Sequence, residues 1–144
     1  MTKILVTYLV ILGGPRPTVD IDYTLRALAP ETLRPIIGAL AAELDLDLEE
    51  SIPAEFMPLP AGFESRHQQL GQYGALTAYL FDPYSIAVMK IDRAFETDME
   101  DVHFLIRSGT IDLAVLEHCI EDVAQRYDEP RKLRSNFQEM KRGL

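Results

Sequence analysis

The apolar residues of this chain change their spacing near Asp82, and this change limits the fold more than any other feature of the sequence. Before it, residues 18–23 alternate apolar and polar side chains with a period of two, and residues 76–81 form a second strand candidate. After it, apolar residues recur every three or four positions, as they do on one face of an α-helix. The sequence therefore predicts an α+β or α/β fold, with a small mixed sheet packed with helices and a helical C-terminal half.

Helix start signals support this division. Asp82 and Pro83 together provide an N-cap and a proline at the first helical position. Thr97 and Glu100 have the spacing of a capping box, and Pro130 marks the start of a last helix. The sequence therefore predicts several short helices between Asp82 and the C-terminus.

The first half is less regular. A helix is predicted over residues 32–44, with its apolar side chains on one face: Leu33, Ile37, Leu40 and Leu44. Residues 45–60 are predicted to be irregular apart from a short strand at residues 55–57. Residues 3–12 are continuously apolar, which fits either a buried strand or a short buried helix, and the pattern alone leaves both open.

Composition limits the class of protein. The chain has 144 residues, of which 47% are hydrophobic and 26% charged, so we expect a single folded domain over residues 1–144. Its sheet-containing part is predicted at residues 1–81 and its helical part at residues 82–144. The net charge of −9 argues against a broadly basic surface for nucleic acid.

The lone cysteine indicates a cellular location. Cys119 lacks a second cysteine for an internal disulfide and lies in an apolar helical pattern, which favours a reduced, buried thiol. The apolar run near the N-terminus is too short to span a bilayer, and no small-residue cleavage site follows it. We therefore expect a cytoplasmic protein that has no membrane partner.

Asp20 and Asp22 form the strongest candidate for a chemical site. Side chains two apart on a strand point the same way, so these two acids are predicted to share one face. Two carboxylates held close together repel, and a cation such as Mg²⁺ or Mn²⁺ relieves that repulsion. Such a pair can hold metal ions that bridge the phosphates of an NTP. The spacing alone is a weak signal and favours an edge strand with two solvated acids.

A second pair of acids, Asp45 and Asp47, shows the same alternation but follows a helix and precedes two further acids. We interpret it as a solvated turn. The first pair differs in its surroundings, because Gly13 and Gly14 allow the backbone to approach a ligand and Arg16 can contact a phosphate.

Basic residues are concentrated near the C-terminus. Six of them lie between residues 126 and 142: Arg126, Arg131, Lys132, Arg134, Lys141 and Arg142. A solvated helix is the simplest interpretation, and a local contact with an anion or RNA is the alternative.

Three stretches of the chain, at residues 8–23, 55–66 and 82–102, are similar to a known family. They resemble the minimal nucleotidyltransferase-like proteins of bacteria, which are related to nucleotidyltransferases of toxin–antitoxin and abortive-infection systems. The resemblance implies that Asp20 and Asp22 are catalytic, metal-binding acids, and that Arg16 and Thr18 belong to the same motif. With Gly13 and Gly14, these two residues would contact the nucleotide.

The resemblance also assigns roles to later residues. Lys90, Arg93, Asp98 and Asp101 would brace the helical part against the sheet, and Lys90 would also face the nucleotide. The family places a third carboxylate on a neighbouring strand, and we choose Glu55 because it lies on the predicted short strand. Where the family has a glycine pair that receives phosphates, this chain instead has valine and threonine at positions 6 and 7.

The resemblance thus predicts a Mg²⁺- or Mn²⁺-dependent nucleotidyltransferase. Such an enzyme would move a nucleoside monophosphate from an NTP to a hydroxyl group of an RNA, a protein or a small molecule. One alternative is a catalytically inactive member that binds a partner protein, as an antitoxin does. Another is a helical module in which the pair of acids is incidental.

Overall fold

A computed structural model describes residues 2–6 and 20–144, and in this part the chain forms five strands and five helices. The strands are β1 (Thr2–Val6), β2 (Asp20–Arg26), β3 (Asp47–Glu50), β4 (Gln68–Tyr73) and β5 (Leu76–Leu80). The helices are α1 (Pro30–Glu43), α2 (Pro83–Arg93), α3 (Glu96–Arg107), α4 (Leu113–Ala124) and α5 (Pro130–Arg142). The prediction of an α+β fold with a helical C-terminal half is confirmed.

The five strands form one mixed sheet in the order β3-β2-β1-β5-β4. The central strand β1 pairs antiparallel with β2 and parallel with β5, while β3 is parallel to β2 and β4 is antiparallel to β5. Helix α1 packs against β3. These elements form the first of two compact units, which we call the sheet unit.

Strand β2 alternates as predicted. Tyr23 and Leu25 are buried, while Asp22 and Arg26 are exposed. One face of the strand is therefore apolar and the other is polar, the pattern of a strand with one covered face. The ambiguous apolar run begins as strand β1, and residues 7–12 lie outside the described residues.

Two strands and one turn differ from the predictions. Asp47–Glu50, interpreted as a solvated turn, is strand β3 and pairs with β2. Strand β4 was not predicted, because its sequence lacks apolar alternation and its backbone pairing with β5 holds it in the sheet. The short strand predicted at residues 55–57 is wrong, since Pro53–Glu55 is a turn of 3₁₀ helix.

Helix α1 confirms its prediction only in part. It begins at Pro30 rather than at residue 32, and Ala41 is its only buried residue. Leu40 is 52% exposed and Leu44, its C-cap, is 58% exposed. The predicted apolar face therefore does not form a buried stripe along the whole helix.

The second compact unit, the helical unit, contains Asp82–Leu144 together with Pro53–Arg66. The sequence placed the latter segment with the sheet, but three polar contacts hold it to the helices. Arg66 binds Asp82 through two hydrogen bonds of 3.0 and 2.8 Å. The Ala61 N–H donates to the Asp122 carboxylate, and Arg126 donates to the Leu59 carbonyl.

Helix α2 begins as predicted. The Asp82 carboxylate accepts the backbone N–H groups of Tyr84 and Ser85, at 3.1 and 3.2 Å, and thus caps the helix. Helix α3 begins two residues earlier than predicted, because its N-cap is Phe95 rather than Thr97, and the Asp98 carboxylate accepts the Phe95 N–H at 3.1 Å.

Most of the buried apolar residues that the structure describes belong to the helical unit. Those of its four helices that are less than 2% exposed are Ala87, Val88, Ile91, Val102, Leu105, Leu116, Ile120, Val123, Leu133 and Met140. Cys119 is also buried, as predicted. Among the described residues, no helix is long and apolar enough to cross a membrane.

Candidate active site

The acids of β2 lie beside acids of β3. In the parallel pairing of the two strands, Asp20 is in register with Asp47 and Asp22 with Glu49. Residues in register on adjacent strands lie on the same face of a sheet. Because Asp22, Asp47 and Glu49 are all exposed, the polar face of the sheet carries a group of carboxylates at this edge.

An ion pair on the opposite face fixes the orientation of β3. Arg34 of α1 binds Glu50 through two hydrogen bonds of 2.6 and 3.0 Å. The Arg34 hydrogen bonds lower the pKa of Glu50, which keeps this carboxylate ionised against α1. Since neighbouring residues of a strand point to opposite faces, Glu49 is directed to the polar face.

Two further bonds keep β2 and β3 aligned beyond the end of the ladder. The Ser51 N–H donates to the Tyr23 carbonyl at 2.8 Å, and the Thr24 hydroxyl donates to the Ser51 carbonyl. Burial raises the pKa of Tyr23, and the charge of Glu50 raises it further, so the phenol stays protonated in the apolar layer. The register that brings the acids together is therefore supported on both sides of the sheet.

The structure places the residues of the predicted site as follows. Asp20 and Asp22 lie on a strand, as predicted, although the side chain of Asp20 is outside the described part. Four other site residues lie wholly outside the described residues: Gly13, Gly14, Arg16 and Thr18. Their roles, and the role of the two acids as metal ligands, remain predictions.

Glu55 does not lie on a strand, so the basis for choosing it is wrong, while its role as the third carboxylate stays a prediction. It was chosen as the third carboxylate because of a predicted strand, but it is an exposed residue of a 3₁₀ turn and belongs to the helical unit. Asp47 and Glu49 are the acids that a strand next to β2 carries. The alternation of leucine and acid over residues 46–49 was the signal that could have identified them.

The carboxylates of this edge suit a hard cation. Mg²⁺ and Mn²⁺ prefer oxygen ligands, and the acids aligned on β2 and β3 offer only carboxylate oxygens. Within residues 2–6 and 20–144, no group of three or more His, Cys, Asp or Glu side chains is arranged to hold a metal. The side chain of Asp20 lies outside the described part of the chain. Binding of Mg²⁺ or Mn²⁺ by these acids therefore stays a prediction.

Lys90 and its neighbours form ion pairs between adjacent helices. Lys90 of α2 binds Asp101 of α3 at 2.8 Å and lies 3.6 Å from Asp98. Arg93 binds Asp98 through two hydrogen bonds of 2.8 and 2.6 Å. These four residues therefore connect α2 and α3, whereas bracing of the helical part against the sheet and a contact of Lys90 with a nucleotide remain predictions.

Burial and charge act against each other at Asp98, which is 1% exposed. Burial would raise the pKa of this carboxyl, but the Arg93 hydrogen bonds, the Phe95 N–H and the charge of Lys90 outweigh it and lower the pKa. Asp98 is therefore a buried, ionised group that holds α2 and α3 together.

The basic residues near the C-terminus are mostly engaged by acids. Five of them lie within salt-bridge distance of a carboxylate, in the pairs Arg126–Asp122, Lys132–Asp92, Arg134–Glu121, Lys141–Glu117 and Arg142–Glu139. This favours the solvated helix over a basic patch for RNA, because the neighbouring carboxylates offset the positive charge.

Comparison with known proteins places the chain in a family. No curated protein and no solved structure gives a significant match. Residues 8–143, nearly the whole chain, match the family described as nucleotidyltransferase of unknown function (DUF6036). That match includes both strands that carry the aligned acids and all four helices of the helical unit. On this evidence the chain belongs to that nucleotidyltransferase family.

Proposed function

We propose that this protein is a divalent-cation-dependent nucleotidyltransferase that moves a nucleoside monophosphate from an NTP to an acceptor hydroxyl. The observation that carries the proposal is the register of β2 and β3, which aligns Asp20 with Asp47 and Asp22 with Glu49. Membership of a nucleotidyltransferase family supports the same reaction class. Carboxylates on adjacent strands can hold the metal ions that such a transfer uses.

Asp20 and Asp22 would hold Mg²⁺ or Mn²⁺, together with an acid from β3. When bound, the cation neutralises phosphate charge and favours in-line displacement at phosphorus. Asp47 and Glu49 are both candidates for the third ligand, and they replace Glu55 in this proposal because they lie on the strand next to β2. The ligand set would then come from two adjacent strands that Arg34 and Glu50 help to orient.

The transfer makes one bond and breaks one. The acceptor oxygen attacks the α-phosphorus of the NTP, and the bond from this phosphorus to the bridging oxygen breaks, so that pyrophosphate leaves. A carboxylate of the aligned group takes the proton of the acceptor hydroxyl. The side chains thereby hold the acceptor near the phosphorus and remove its proton.

The remaining predicted contacts complete the proposal. The backbone N–H groups of Gly13 and Gly14 and the side chains of Arg16 and Thr18 would bind the phosphates of the NTP. Lys90 would also contact the nucleotide, although any phosphate would compete there with Asp101, which already accepts a hydrogen bond from the Lys90 ammonium. Phosphate binding is therefore proposed to rest mainly on residues 13–18, which precede β2.

Transfer of label is the direct test. The protein is incubated with NTPs labelled at the α-phosphate, with Mg²⁺ or Mn²⁺, and with total RNA or cell extract. We expect Asp22→Asn to lower the transfer rate by about a hundredfold or more, since it removes charge from the site of transfer. Asp45→Asn is the matched control, because Asp45 is a nearby exposed acid that lies outside the strands. Equal rates for the two variants would contradict the proposal.

The third carboxylate is tested in the same assay. Asp47→Asn and Glu49→Gln are compared with Glu55→Gln, and at least one of the β3 variants should lose transfer while the Glu55 variant keeps it. Loss of transfer in Glu55→Gln alone would restore the original choice of third acid.

A competing proposal is a catalytically inactive protein that binds a partner, as an antitoxin does. Exposed apolar side chains on α1 favour it, since Ile36 is 63% exposed and Leu40 52%. Metal binding separates the two proposals. If the acids bind Mn²⁺, a Mn²⁺ concentration ten times the dissociation constant should stabilise the fold by about 1.4 kcal/mol.

Thermal melting with and without Mn²⁺ measures this effect, and the shift should vanish in Asp20→Asn/Asp22→Asn. A further shift on addition of NTP supports the enzyme. A metal shift without an NTP shift would indicate a protein that has lost its phosphate contacts, and no response to metal would leave the inactive alternative.

A further inference from the structure

Strand β4 has an exposed edge. It is the last strand in the sheet order β3-β2-β1-β5-β4, and within the described part of the chain it pairs only with β5. Five of its six residues are exposed, and Gly71 is partly exposed. The backbone N–H and C=O groups of an edge strand that point away from its neighbour can pair with another strand. The outer edge of β4 therefore offers a place for one more strand.

The two edges of the sheet differ in charge. Charged side chains protect an edge strand against pairing, because another copy of the strand would place like charges opposite each other. Strand β3 has this protection, since three of its four residues are acids. Strand β4 carries no charged residue and no proline, and it belongs to the longest run of the sequence without Asp, Glu, Lys or Arg, residues 67–81. The edge of β4 is thus the unprotected one.

Two large side chains of β4 add apolar surface beside this edge. The register of β4 and β5 shifts between Gln69 and Gly71, so Leu70 is an extra residue on the edge strand, and it is 40% exposed. The Tyr73 ring lies over Gly71, where a Cβ atom would be 2.9 Å from the Tyr73 hydroxyl oxygen, and Tyr73 is 67% exposed. A strand added to β4 would cover part of both side chains.

A second copy of this chain is the partner that suits this edge. Antiparallel pairing of a strand with its own copy is two-fold symmetric, so the two strands have the same length and offer each other the same residues. Each copy has a net charge of −9, which opposes association least where charged side chains are absent, as they are in residues 67–81. A basic peptide, in contrast, would be attracted to the acids of β3 at the other edge.

We propose that this protein forms a two-fold symmetric dimer in which β4 pairs antiparallel with β4 of a second copy. The two described sheets then join into one continuous sheet. In the register centred between Leu70 and Gly71, Gln69 of each copy lies opposite Gln72 of the other. The acids aligned on β2 and β3 lie towards the far edge of each sheet, so pairing through β4 leaves both candidate active sites open. The assembly stops at two copies, because the acids of β3 protect the remaining edges.

Sedimentation equilibrium over a range of protein concentrations measures the dimer. The mass of the unchanged protein should rise from 16.3 kDa towards twice this value as its concentration increases. Gln69→Glu/Gln72→Glu places like charges opposite each other twice in the dimer, so this variant should dimerise at least about tenfold more weakly. Both glutamines are exposed, so the fold of the single chain should tolerate the change.

The matched control is Gln125→Glu/Gln138→Glu, which makes the same substitutions at two exposed glutamines of the helical unit. It adds the same charge to the chain and should dimerise as the unchanged protein does. Melting curves show whether all variants are folded. Equal weakening by the control would mean that net charge alone governs association, and would overturn the proposal, as would a dimer that Gln69→Glu/Gln72→Glu leaves unchanged.

Hydrogen exchange tests the backbone hydrogen bonds of the edge directly. Amides of β4 should exchange more slowly at high than at low protein concentration, while those of α1 should not change. A dimer formed through the exposed apolar side chains of α1 would show the opposite pattern, and Ile36→Glu/Leu40→Glu would dissociate it. That result, a chain that stays monomeric up to millimolar concentration, or a mass that keeps rising beyond the dimer would each overturn the proposal.

Discussion

The sheet unit and the helical unit use their acids differently. In the helical unit, Asp82 and Asp98 are almost fully buried and each binds an arginine. In the sheet unit, Asp47 and Glu49 lie exposed on the edge strand β3. Buried acids that bind arginine hold a fold together, whereas exposed acids aligned on adjacent strands can bind a ligand. Burial therefore separates the structural carboxylates from the candidate catalytic ones.

The two units also differ in their buried apolar residues. Within the described part of the chain, the sheet unit buries six, namely Leu5, Tyr23, Leu25, Ala41, Leu80 and Phe81, while the helical unit buries seventeen. Burial of apolar surface is the main source of stability, so the helical unit is expected to contribute more of it. The candidate site lies on the part of the chain with the smaller core.

The largest expected effect is the loss of Asp82. Asp82→Ala removes the cap of α2 and leaves Arg66, which is 26% exposed, without its carboxylate. We expect a loss of about 3–5 kcal/mol in the free energy of unfolding, because one partner of a buried ion pair is removed. Urea denaturation measures it. Asp47→Ala should change the free energy of unfolding by less than about 0.5 kcal/mol. A loss as large as that of Asp82→Ala would contradict the difference between the structural acids of the helical unit and the exposed acids of the sheet unit.

A smaller effect is expected at Lys90. Lys90→Met leaves Asp98 and Asp101, two buried acids, without this ammonium, although Arg93 still binds Asp98. We expect a loss of about 1.5–3 kcal/mol, the usual contribution of a hydrogen bond that involves a charged group. Lys141→Met is the control, since its pair with the half-exposed Glu117 should contribute less than about 1 kcal/mol. Equal melting temperatures would contradict the structural role of Lys90.

The smallest effect concerns acid stability. The pKa of Asp98 is lowered in the folded protein. The ionised carboxylate therefore contributes fully to the free energy of unfolding at pH values well above 3.8, the ordinary pKa of Asp, and this contribution is lost as the pH falls below that value. The hydrogen bonds from Arg34 also lower the pKa of Glu50, but this ion pair lies at the surface. Asp98→Asn should therefore flatten the loss of stability between about pH 5 and pH 2 more than Glu50→Gln does. Denaturation at several pH values tests this, and a larger effect of Glu50→Gln would reverse the expected order.

The helices could be predicted because their signals are local. Asp82 and Pro83 cap and start α2 within four residues, and the apolar spacing of α4 repeats along one segment. Strand β3 could not be recognised in this way, because its pairing partner β2 lies 27 positions earlier in the chain. The strand β4 depends in the same manner on β5, since its own side chains are mostly exposed.

The residues of the candidate site differ in the same way, because some have local sequence signals and others depend on long-range pairing. The sequence singles out Asp20 and Asp22 by their spacing, by the residues that precede them and by the family resemblance, while the surroundings of Asp47 favour a turn. What makes Asp47 and Glu49 candidates is their register with β2, a long-range property that the spacing of a single segment does not contain. The strand predicted around Glu55 is wrong because Pro53–Glu55 is a turn of 3₁₀ helix, whereas the role of Glu55 as third carboxylate is untested.

Pro53–Arg66 belongs to the helical unit although it precedes strands β4 and β5 in the chain. A fragment that starts at Asp82 would lack Arg66, and Arg126 would lose the Leu59 carbonyl. The helical unit is thus not encoded by one uninterrupted stretch of the gene. Recombination that joined the last 63 codons to another sheet would separate Asp82 from its arginine. We therefore expect the two units to be exchanged together during evolution rather than as separate modules.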